Sequence, residues 1–570
     1  MNPGKALIYA ALLILASTAC AAPAARAAAP TRFSRFVDDY FESRYDARPT
    51  EGTAVGVHTY DVRMPDMSRA GFEKRIADLH AQLETLSKFD RAALPVEDAI
   101  DAEILEGQIR GELLDLETLR VWESNPMFYA GVPGEAVDSL MKRDFAPAAE
   151  RLKSMIKRLG KIPGVLHAAE MNVKNPPREF TDLAIRMAKG SVGFFQGSVA
   201  TWAHEAAGGD AALRASFDEQ NKVVLEALKG FAHWLESDLK PRSKGAYAIG
   251  AEHFLAKLRY DDLVEITMPE LLRRGEENLA KDYAAFAATA KQIDPSKTPL
   301  EVMQTLSDVH PTADDLIPSV RRSVEAARAF LIEKKVVTVP SEVRARIEET
   351  PPYARSGSFA SMDTPGAYET KATEAFYYVT PVEKDWDAKH AEEHLRLYNP
   401  WVVAMINVHE AYPGHYLQFL YAPKFPTKTR KLVYCSTNVE GWAHYCEQMT
   451  VDLGFGGDDP KMRLAQLQEA LLRDCRYVVG IKLHTEGWSV EQGAKLFVEK
   501  GFQEPANAFE EARRGAYNPT YLYYTFGKLE IMKLRDEYLA KKGGELRDFH
   551  DAFVAQGGVP IAIVRKILLK

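Results

Sequence analysis

The stretch His409-Glu-Ala-Tyr-Pro-Gly-His415 is close to the metal-binding pattern H-E-x-x-H, but its two histidines are six residues apart instead of four. Six residues turn an α-helix by about 600°, which leaves the two side chains about 120° out of register. Pro413 removes an amide donor and clashes with the carbonyl of His409, and Gly414 lets the chain change direction. The sequence therefore predicts a helix break that brings both histidines to one ion.

A second segment, Asn438-Val-Glu-Gly-Trp-Ala-His-Tyr445, adds a carboxylate at Glu440 inside an apolar helical stripe. Burying this group without a partner would be costly, and a bound dication would satisfy it. Two histidines and one glutamate suit zinc in a catalytic site, where water takes the fourth position. We therefore predict one Zn²⁺ held by His409, His415 and Glu440.

Glu410, next to the first histidine, is predicted to be the general base of this site. Zinc would lower the pKa of its water toward about 7, and Glu410 would take the proton and pass it to the leaving amine. His444 and Glu447 follow on the helix of Glu440. Each is a competing ligand or a group that orients a ligand.

The first 29 residues have the pattern of a secretory signal: Lys5, a short apolar run, and an alanine-rich end at Ala29. The apolar run is too short to span a bilayer. Cleavage after Ala29 would release a soluble exported protein, whereas Cys20 could instead be the acylated residue of a lipoprotein. No other segment resembles a transmembrane helix. We expect a periplasmic protein or an outer-membrane lipoprotein of a Gram-negative bacterium.

The whole chain of 570 residues has the composition of a soluble globular protein, with 46% hydrophobic and 27% charged residues. Its net charge of −8 offers no electrostatic reason to expect binding to nucleic acid or to an anionic membrane. Most segments have helical periodicity, as in Leu152, Met155, Ile156 and Leu159. The sequence thus predicts a mainly α protein with a helical N-terminal half (30–260) and a catalytic half (261–570).

Beta-branched and aromatic residues are concentrated just before the histidine motif. The runs Val336–Val339 and Glu374–Val379 predict a small sheet within residues 336–380, separated by turns rich in proline and glycine. The strand Phe376–Val379 either pairs with an extended peptide at a sheet edge or is a plain structural strand.

Several motifs in the second half resemble the bacterial DUF885 family. The matching segments are Tyr398-Asn-Pro, His409 to Gln418, Glu440 to Tyr445, Leu483-His-Thr and Pro519 to Lys528. That family resembles gluzincin metallopeptidases, whose helical clamshell fold encloses the site and implies short peptides as substrates. The resemblance also implies His409, His415 and Glu440 as zinc ligands and Glu410 as the base.

A hydrolase of this kind needs a hydrogen-bond donor at the developing oxyanion. Tyr521 and Tyr524 are candidates because they are three residues apart on a segment that could be helical, although core packing is an alternative for both. His484 is a further candidate donor. Arg513 and Arg514 could bind a substrate carboxylate or could be ordinary surface residues.

These observations predict a zinc metallopeptidase of the cell envelope that hydrolyses peptide bonds of short peptides. An amidase acting on non-peptide or peptidoglycan amides is an alternative with the same chemistry. A protein that binds metal or peptide without turnover is a third possibility, but it would have no need of Glu410 beside His409.

Overall fold

The computed structural model describes residues 30–351, 355, 359–383 and 386–570. The predicted signal segment and Cys20 lie outside the described residues. The protein is mainly helical and has one small three-stranded sheet, as the sequence predicts. Among the described helices, none is both long and apolar enough to cross a membrane.

Seventeen α-helices are described before the first strand. Their bounds are α1 Arg32–Ala47, α2 Pro49–Ala54, α3 Arg69–Ser87, α4 Val96–Leu113, α5 Val121–Ser124, α6 Met127–Ala130, α7 Val132–Lys142, α8 Ala148–Leu159, α9 Ile162–Asn172, α10 Arg178–Phe194, α11 Ala200–Ala207, α12 Ala211–Trp234, α13 Lys240–Arg242, α14 Gly250–Asp261, α15 Met268–Ile293, α16 Pro299–Leu306 and α17 Leu316–Glu333. Short π-helical turns continue α4, α10 and α12.

The sheet and eleven further helices follow. Their bounds are β1 Arg346–Glu349, β2 Ala360–Asp363, β3 Phe376–Val379, α18 Ala388–Arg396, α19 Pro400–Glu410, α20 His415–Leu420, α21 Lys428–Leu432, α22 Ser436–Asp452, α23 Pro460–Thr485, α24 Val490–Gly501, α25 Pro505–Tyr517, α26 Tyr523–Lys542, α27 Leu546–Val554 and α28 Ile561–Leu568.

The sheet has the order β1-β3-β2, so β3 lies in the centre. β1 is parallel to β3, with Arg346 opposite Phe376, and β2 is antiparallel to β3, with Ala360 opposite Val379. Phe376–Val379 is therefore a strand, and of the two alternatives it is the plain structural strand, because both of its edges are paired. β2 is the strand that faces the histidine motif.

The predicted strand Val336–Val339 is not a strand in the structure. The Thr338 amide donates to Asp551 Oδ1 at 2.7 Å, and the Val336 carbonyl meets His550 Nδ1 at 2.7 Å. Side chains of α27 thus satisfy the backbone groups that a neighbouring strand would otherwise bind. The beta-branched run is explained by the burial of Val336 and Val337.

The largest apolar core extends through both halves of the chain, from Phe33 in α1 to Val564 in α28. A second apolar cluster lies between α15, α23, α24 and α25, with Phe286 and Phe497 fully buried. α19, α22, α23 and α26 pack against one another at the motif residues. Burial of their apolar faces fixes the relative positions of these four helices.

α22 and α26 approach each other closely at two glycines. A Cβ added to Gly527 would lie 2.0 Å from the carbonyl oxygen of Thr437, and one added to Gly441 would lie 2.6 Å from Gly527 Cα. Any side chain at either position would separate the two helices. The contact therefore sets the position of the helix that carries Glu440.

Behind these helices lies a buried polar cluster. Asp474 Oδ1 accepts hydrogen bonds from Asn278 at 2.9 Å and Thr525 at 2.8 Å, and Lys528 Nζ lies 3.4 Å from Asp282 Oδ2. Burial raises the pKa of Asp474 to about 7, although Lys528 acts in the opposite direction. Asp474 can therefore bind a proton in the native protein at pH values where an exposed aspartate is ionised.

We expect Gly527→Ala to destabilise the protein by about 1–3 kcal/mol or more, because the new methyl group must push α22 away from α26. Gly230→Ala is the matched control, since Gly230 is an exposed helical residue with open space around its Cβ position. The control should be neutral or more stable by about 0.5–1 kcal/mol. Urea unfolding of both variants measures the difference, and equal stabilities would contradict the close contact.

We expect Asp474→Asn to become increasingly favourable relative to the wild type as the pH rises. The native pKa is about 7 and the unfolded value about 3.9, so the native state binds more protons between these limits. Wild-type stability therefore falls through this window, by at most about 1.4 kcal/mol per pH unit. Urea unfolding at several pH values tests this, with surface Asp458→Asn as control. A pH-independent difference would contradict the shifted pKa.

Candidate metal centre

The helix break predicted between the two histidines is present. α19 ends at Glu410, α20 begins at His415, and the Gly414 amide donates back to the Val408 carbonyl at 3.0 Å. A Cβ at position 414 would lie 1.7 Å from the carbonyl oxygen of His409, so the reversal requires glycine. Trp442 Nε1 donates to the Pro413 carbonyl at 2.8 Å and ties the turn to α22.

The reversal brings the two imidazoles together at Glu440. Their ring centres are 4.8 Å apart, and the ring planes are nearly perpendicular at 89°. Glu440 Oε2 lies 3.3 Å from His409 Nε2 and 3.5 Å from His415 Nε2. The structure thus places all three predicted ligands around one point.

These distances fit a zinc site. Two nitrogen or oxygen donors, each about 2.05 Å from a tetrahedral ion, are separated by about 3.3 Å. Both separations from Glu440 Oε2 are close to this value. The donor set of two imidazoles and one carboxylate is also the type that catalytic zinc sites use.

Glu410 also faces this point but has a different environment. It offers a carboxylate oxygen within 4.8 Å of donor atoms of both histidines, so it could compete with Glu440 as a ligand. The Met362 amide in β2 donates to Glu410 Oε2 at 3.1 Å, which holds this carboxylate toward the sheet. Glu440 has the better ligand geometry because a single oxygen contacts both Nε2 atoms.

Glu447 lies behind the ligands and orients one of them. It accepts hydrogen bonds from His409 Nδ1 at 2.7 Å and His444 Nδ1 at 3.1 Å, and Arg473 Nη2 lies 3.2 Å from its Oε1. A carboxylate bound to Nδ1 fixes the ring so that Nε2 points at the metal position. Glu447 is therefore the orienting group of the two possibilities, and not a competing ligand.

His444 also contacts Glu447, and no contact among the described residues joins it to Glu440 or His415. Its ring is fully buried and its Nδ1 is bound to Glu447. Burial and the nearby Lys528 lower the pKa of His444 to about 3, so the ring is neutral. The contact that the structure shows for His444 is the one that orients Glu447.

The electrostatics of the cluster favour positive charge at His409. Burial lowers the pKa of His409, but the hydrogen bonds to Glu440 and Glu447 outweigh it and raise the value to about 9. Burial acts to raise the pKa of Glu440, yet the two histidines hold it well below its usual range. Such a site is suited to bind a cation.

Of the two candidate tyrosines, Tyr524 is beside the cluster. Its ring centre is 6.3 Å from that of His409, and its pKa is raised by burial and by the charge of Glu440. Tyr521 is farther away, because its hydroxyl donates to Glu511 Oε2 at 2.8 Å. Tyr521 lies before α26, which begins at Tyr523. Tyr521 and Tyr524 therefore do not occupy the adjacent positions on one helix that the sequence predicted.

The contacts of His484, a candidate oxyanion donor, are with residues outside the histidine cluster. His484 Nε2 meets the Gly515 carbonyl at 2.9 Å, and the ring packs against Tyr247 and Phe254. It lies eleven residues beyond Arg473 on α23, which is about 16 Å along the helix. A continuous helix thus separates His484 from the metal position.

Two residues of the site were absent from the sequence analysis. Arg473 lies within an amphipathic helix and has no local motif that distinguishes it. Tyr434 precedes α22 with its side chain open to solvent, although the surrounding protein and the charges of Glu440 and Glu410 raise its pKa. Its closeness in sequence to Glu440 was the one available signal.

Comparisons with solved structures identify proteins with the same fold. One, a protein of unknown function from Shewanella oneidensis described as a candidate lipoprotein, has 26% sequence identity and a TM-score of 0.81, over 95% of this chain and 100% of that chain. Another candidate lipoprotein, from Colwellia psychrerythraea, has 18% identity and a TM-score of 0.80, over 94% and 98% of the two chains.

No protein with curated functional information matches this chain. The model of DUF885, a family of bacterial proteins of unknown function, matches residues 49–568 and therefore includes every residue of the candidate centre. The chain belongs to the DUF885 family.

Proposed function

We propose that the protein is a zinc-dependent peptidase. The observation that carries this proposal is the placement of one Glu440 oxygen 3.3 and 3.5 Å from the Nε2 atoms of His409 and His415. Glu410 stands beside this ligand set and is held by a separate hydrogen bond to β2. Amide hydrolysis at zinc uses three protein ligands and a further carboxylate that does not bind the metal and acts as general base.

Zinc bound there would supply a Lewis acid that polarises the scissile carbonyl and acidifies a water molecule. Glu410 takes the proton of the attacking water and delivers it to the leaving nitrogen. The Met362 amide binds Oε2 of Glu410, so the other carboxylate oxygen, Oε1, can carry out this proton transfer. Tyr524, next to His409, is positioned to donate a hydrogen bond to the oxygen that gains charge.

Glu447 and Arg473 act on the ligands and do not contact substrate. Glu447 keeps the proton of His409 on Nδ1, and Arg473 offsets the negative charge of the buried carboxylate. Removing Arg473 would leave Glu447 without its permanently charged partner in the interior, whereas Arg473 keeps Glu469 when Glu447 is removed. The pair therefore preserves the orientation of His409 throughout the reaction.

The Glu410 geometry also bears on the alternatives. A protein that only binds metal or peptide gains nothing from a second carboxylate fixed beside the ligands, so the enzymatic function is favoured. An amidase acting on peptidoglycan or non-peptide amides would use the same groups, and product analysis separates the two. We propose short peptides as substrates because the centre lies among packed helices.

The proposed location is the cell envelope. The N-terminal signal pattern supports export, and both related structures belong to candidate lipoproteins of Gram-negative bacteria. Cys20 is the residue that would carry the lipid.

We expect Glu410→Gln to lower peptide hydrolysis by about 10²- to 10⁴-fold, because the amide cannot accept the proton of water. Zinc content should stay at the wild-type level, since the ligands are unchanged. Digestion of a diverse peptide library, followed by mass spectrometry and metal analysis, tests both expectations. Glu469→Gln, at a carboxylate on the far side of Arg473, is the control. Undiminished hydrolysis by Glu410→Gln would refute its assigned role.

We expect Glu447→Gln to weaken zinc affinity by about 10- to 100-fold, because His409 loses the carboxylate that orients it. Competition with a chelator of known affinity measures the change. Glu469→Gln is again the matched control, since it removes the other carboxylate partner of Arg473 but leaves His409 untouched. Equal zinc affinities of the two variants would show that Glu447 does not support the metal site.

A further inference from the structure

Two consecutive arginines on α25 have different surroundings. Arg513 Nη1 lies 3.2 Å from Glu510 Oε1, an ordinary ion pair. Arg514 is half-buried, and its guanidinium makes no hydrogen bond or ion pair with any residue that the structure describes. Its Cζ lies 4.7 Å from the centre of the Tyr521 ring. Arg514 is therefore held in place by an aromatic ring while its donors stay available.

The carboxylates near Arg514 are already bound by other arginines. Glu511 is already bound by Arg476 through two contacts of 2.8 Å and accepts the hydroxyl of Tyr521 at 2.8 Å. Glu510 is shared between Arg513 and Arg186. Four arginines thus face two glutamates here, and the excess positive charge is at Arg514. Such an excess attracts an anion.

Aromatic rings connect Arg514 with the metal centre. The rings of Tyr521 and Tyr524 are 6.5 Å apart, and those of Tyr524 and His409 are 6.3 Å apart. Burial lowers the pKa of Arg514, but the phenol groups of Tyr521 and Tyr524 outweigh it and raise the value. The Tyr521 ring thus lies between Arg514 and Tyr524. An extended peptide advances about 3.3–3.6 Å per residue, so a few residues reach from His409 to Arg514.

We propose that Arg514 binds a carboxylate of the substrate and makes the protein selective for anionic peptides. The planar guanidinium can bind a carboxylate through two parallel hydrogen bonds, and Tyr521 holds it for that contact. This proposal rests on the peptidase function above and specifies its substrate class. The carboxylate is either the C-terminus of the peptide or an acidic side chain.

The test measures binding in the Glu410→Gln background, where turnover does not interfere. The probes are N-acetylated mixed-sequence peptides of about four to six residues, long enough to connect the two positions. Three matched sets are compared: free acids, C-terminal amides, and amides with an internal aspartate. Equilibrium dialysis with mass spectrometry gives the retained fraction for the zinc-loaded protein.

The expected result is at least tenfold tighter binding of one anionic set than of the neutral amides. Preference for free acids identifies the C-terminal carboxylate, and preference for internal aspartate identifies a side chain. Adding Arg514→Gln should remove the preference, Arg514→Lys should keep part of it, and Arg513→Gln should leave it intact. Equal binding of all sets, no binding of any set, or equal effects of Arg513→Gln and Arg514→Gln would overturn the proposal.

The outcome is separable from that of the proposed function. Retained selectivity for anionic peptides, together with no cleavage by the zinc-loaded wild type, would refute the peptidase and leave the carboxylate site in place. Cleavage of peptides without selectivity for anionic ones would support the peptidase and refute the carboxylate site. Circular dichroism of each variant shows whether it has folded.

Discussion

The close approach of Gly414 to the carbonyl oxygen of His409 is the constraint on which the rest of the site depends. A β-carbon at this position would lie 1.7 Å from that oxygen, so no other residue allows the same reversal. The reversal converts two histidines that would face different directions on a helix into neighbours at Glu440. Trp442 then connects the turn to the helix of Glu440, so that the ligands from both segments keep one geometry.

Around this turn, charged side chains of opposite sign contact one another in sequence. Glu440 faces both imidazoles, Glu447 holds His409 from behind, and Arg473 offsets the charge of Glu447. Each of these buried charges has an opposite neighbour, which avoids the high cost of an isolated charge in the interior. The half-buried Arg514 differs from them, because it has no ion pair among the described residues and can therefore bind an anion.

Local sequence patterns were informative where a short segment decides the geometry. The helix break, the ligand set around His409 and the strand Phe376–Val379 follow from spacing and residue type, and the structure contains all three arrangements. The run Val336–Val339 was misleading because its backbone bonds to side chains of a helix more than 200 residues later. His484 was misleading because it lies about 16 Å along α23 from Arg473, the residue of that helix that contacts Glu447.

The sequence by itself determined the mainly helical class, the break at Pro413 and Gly414, and the residue types that meet at the candidate metal site. Those properties depend on backbone sterics and on residue types within a few positions of one another. Only the tertiary structure decided that Glu447 contacts both His409 and His444, and that Arg513 has an ion pair while Arg514 has none among the described residues. These distinctions depend on which helices pack side by side, and long-range burial of apolar surface sets that packing.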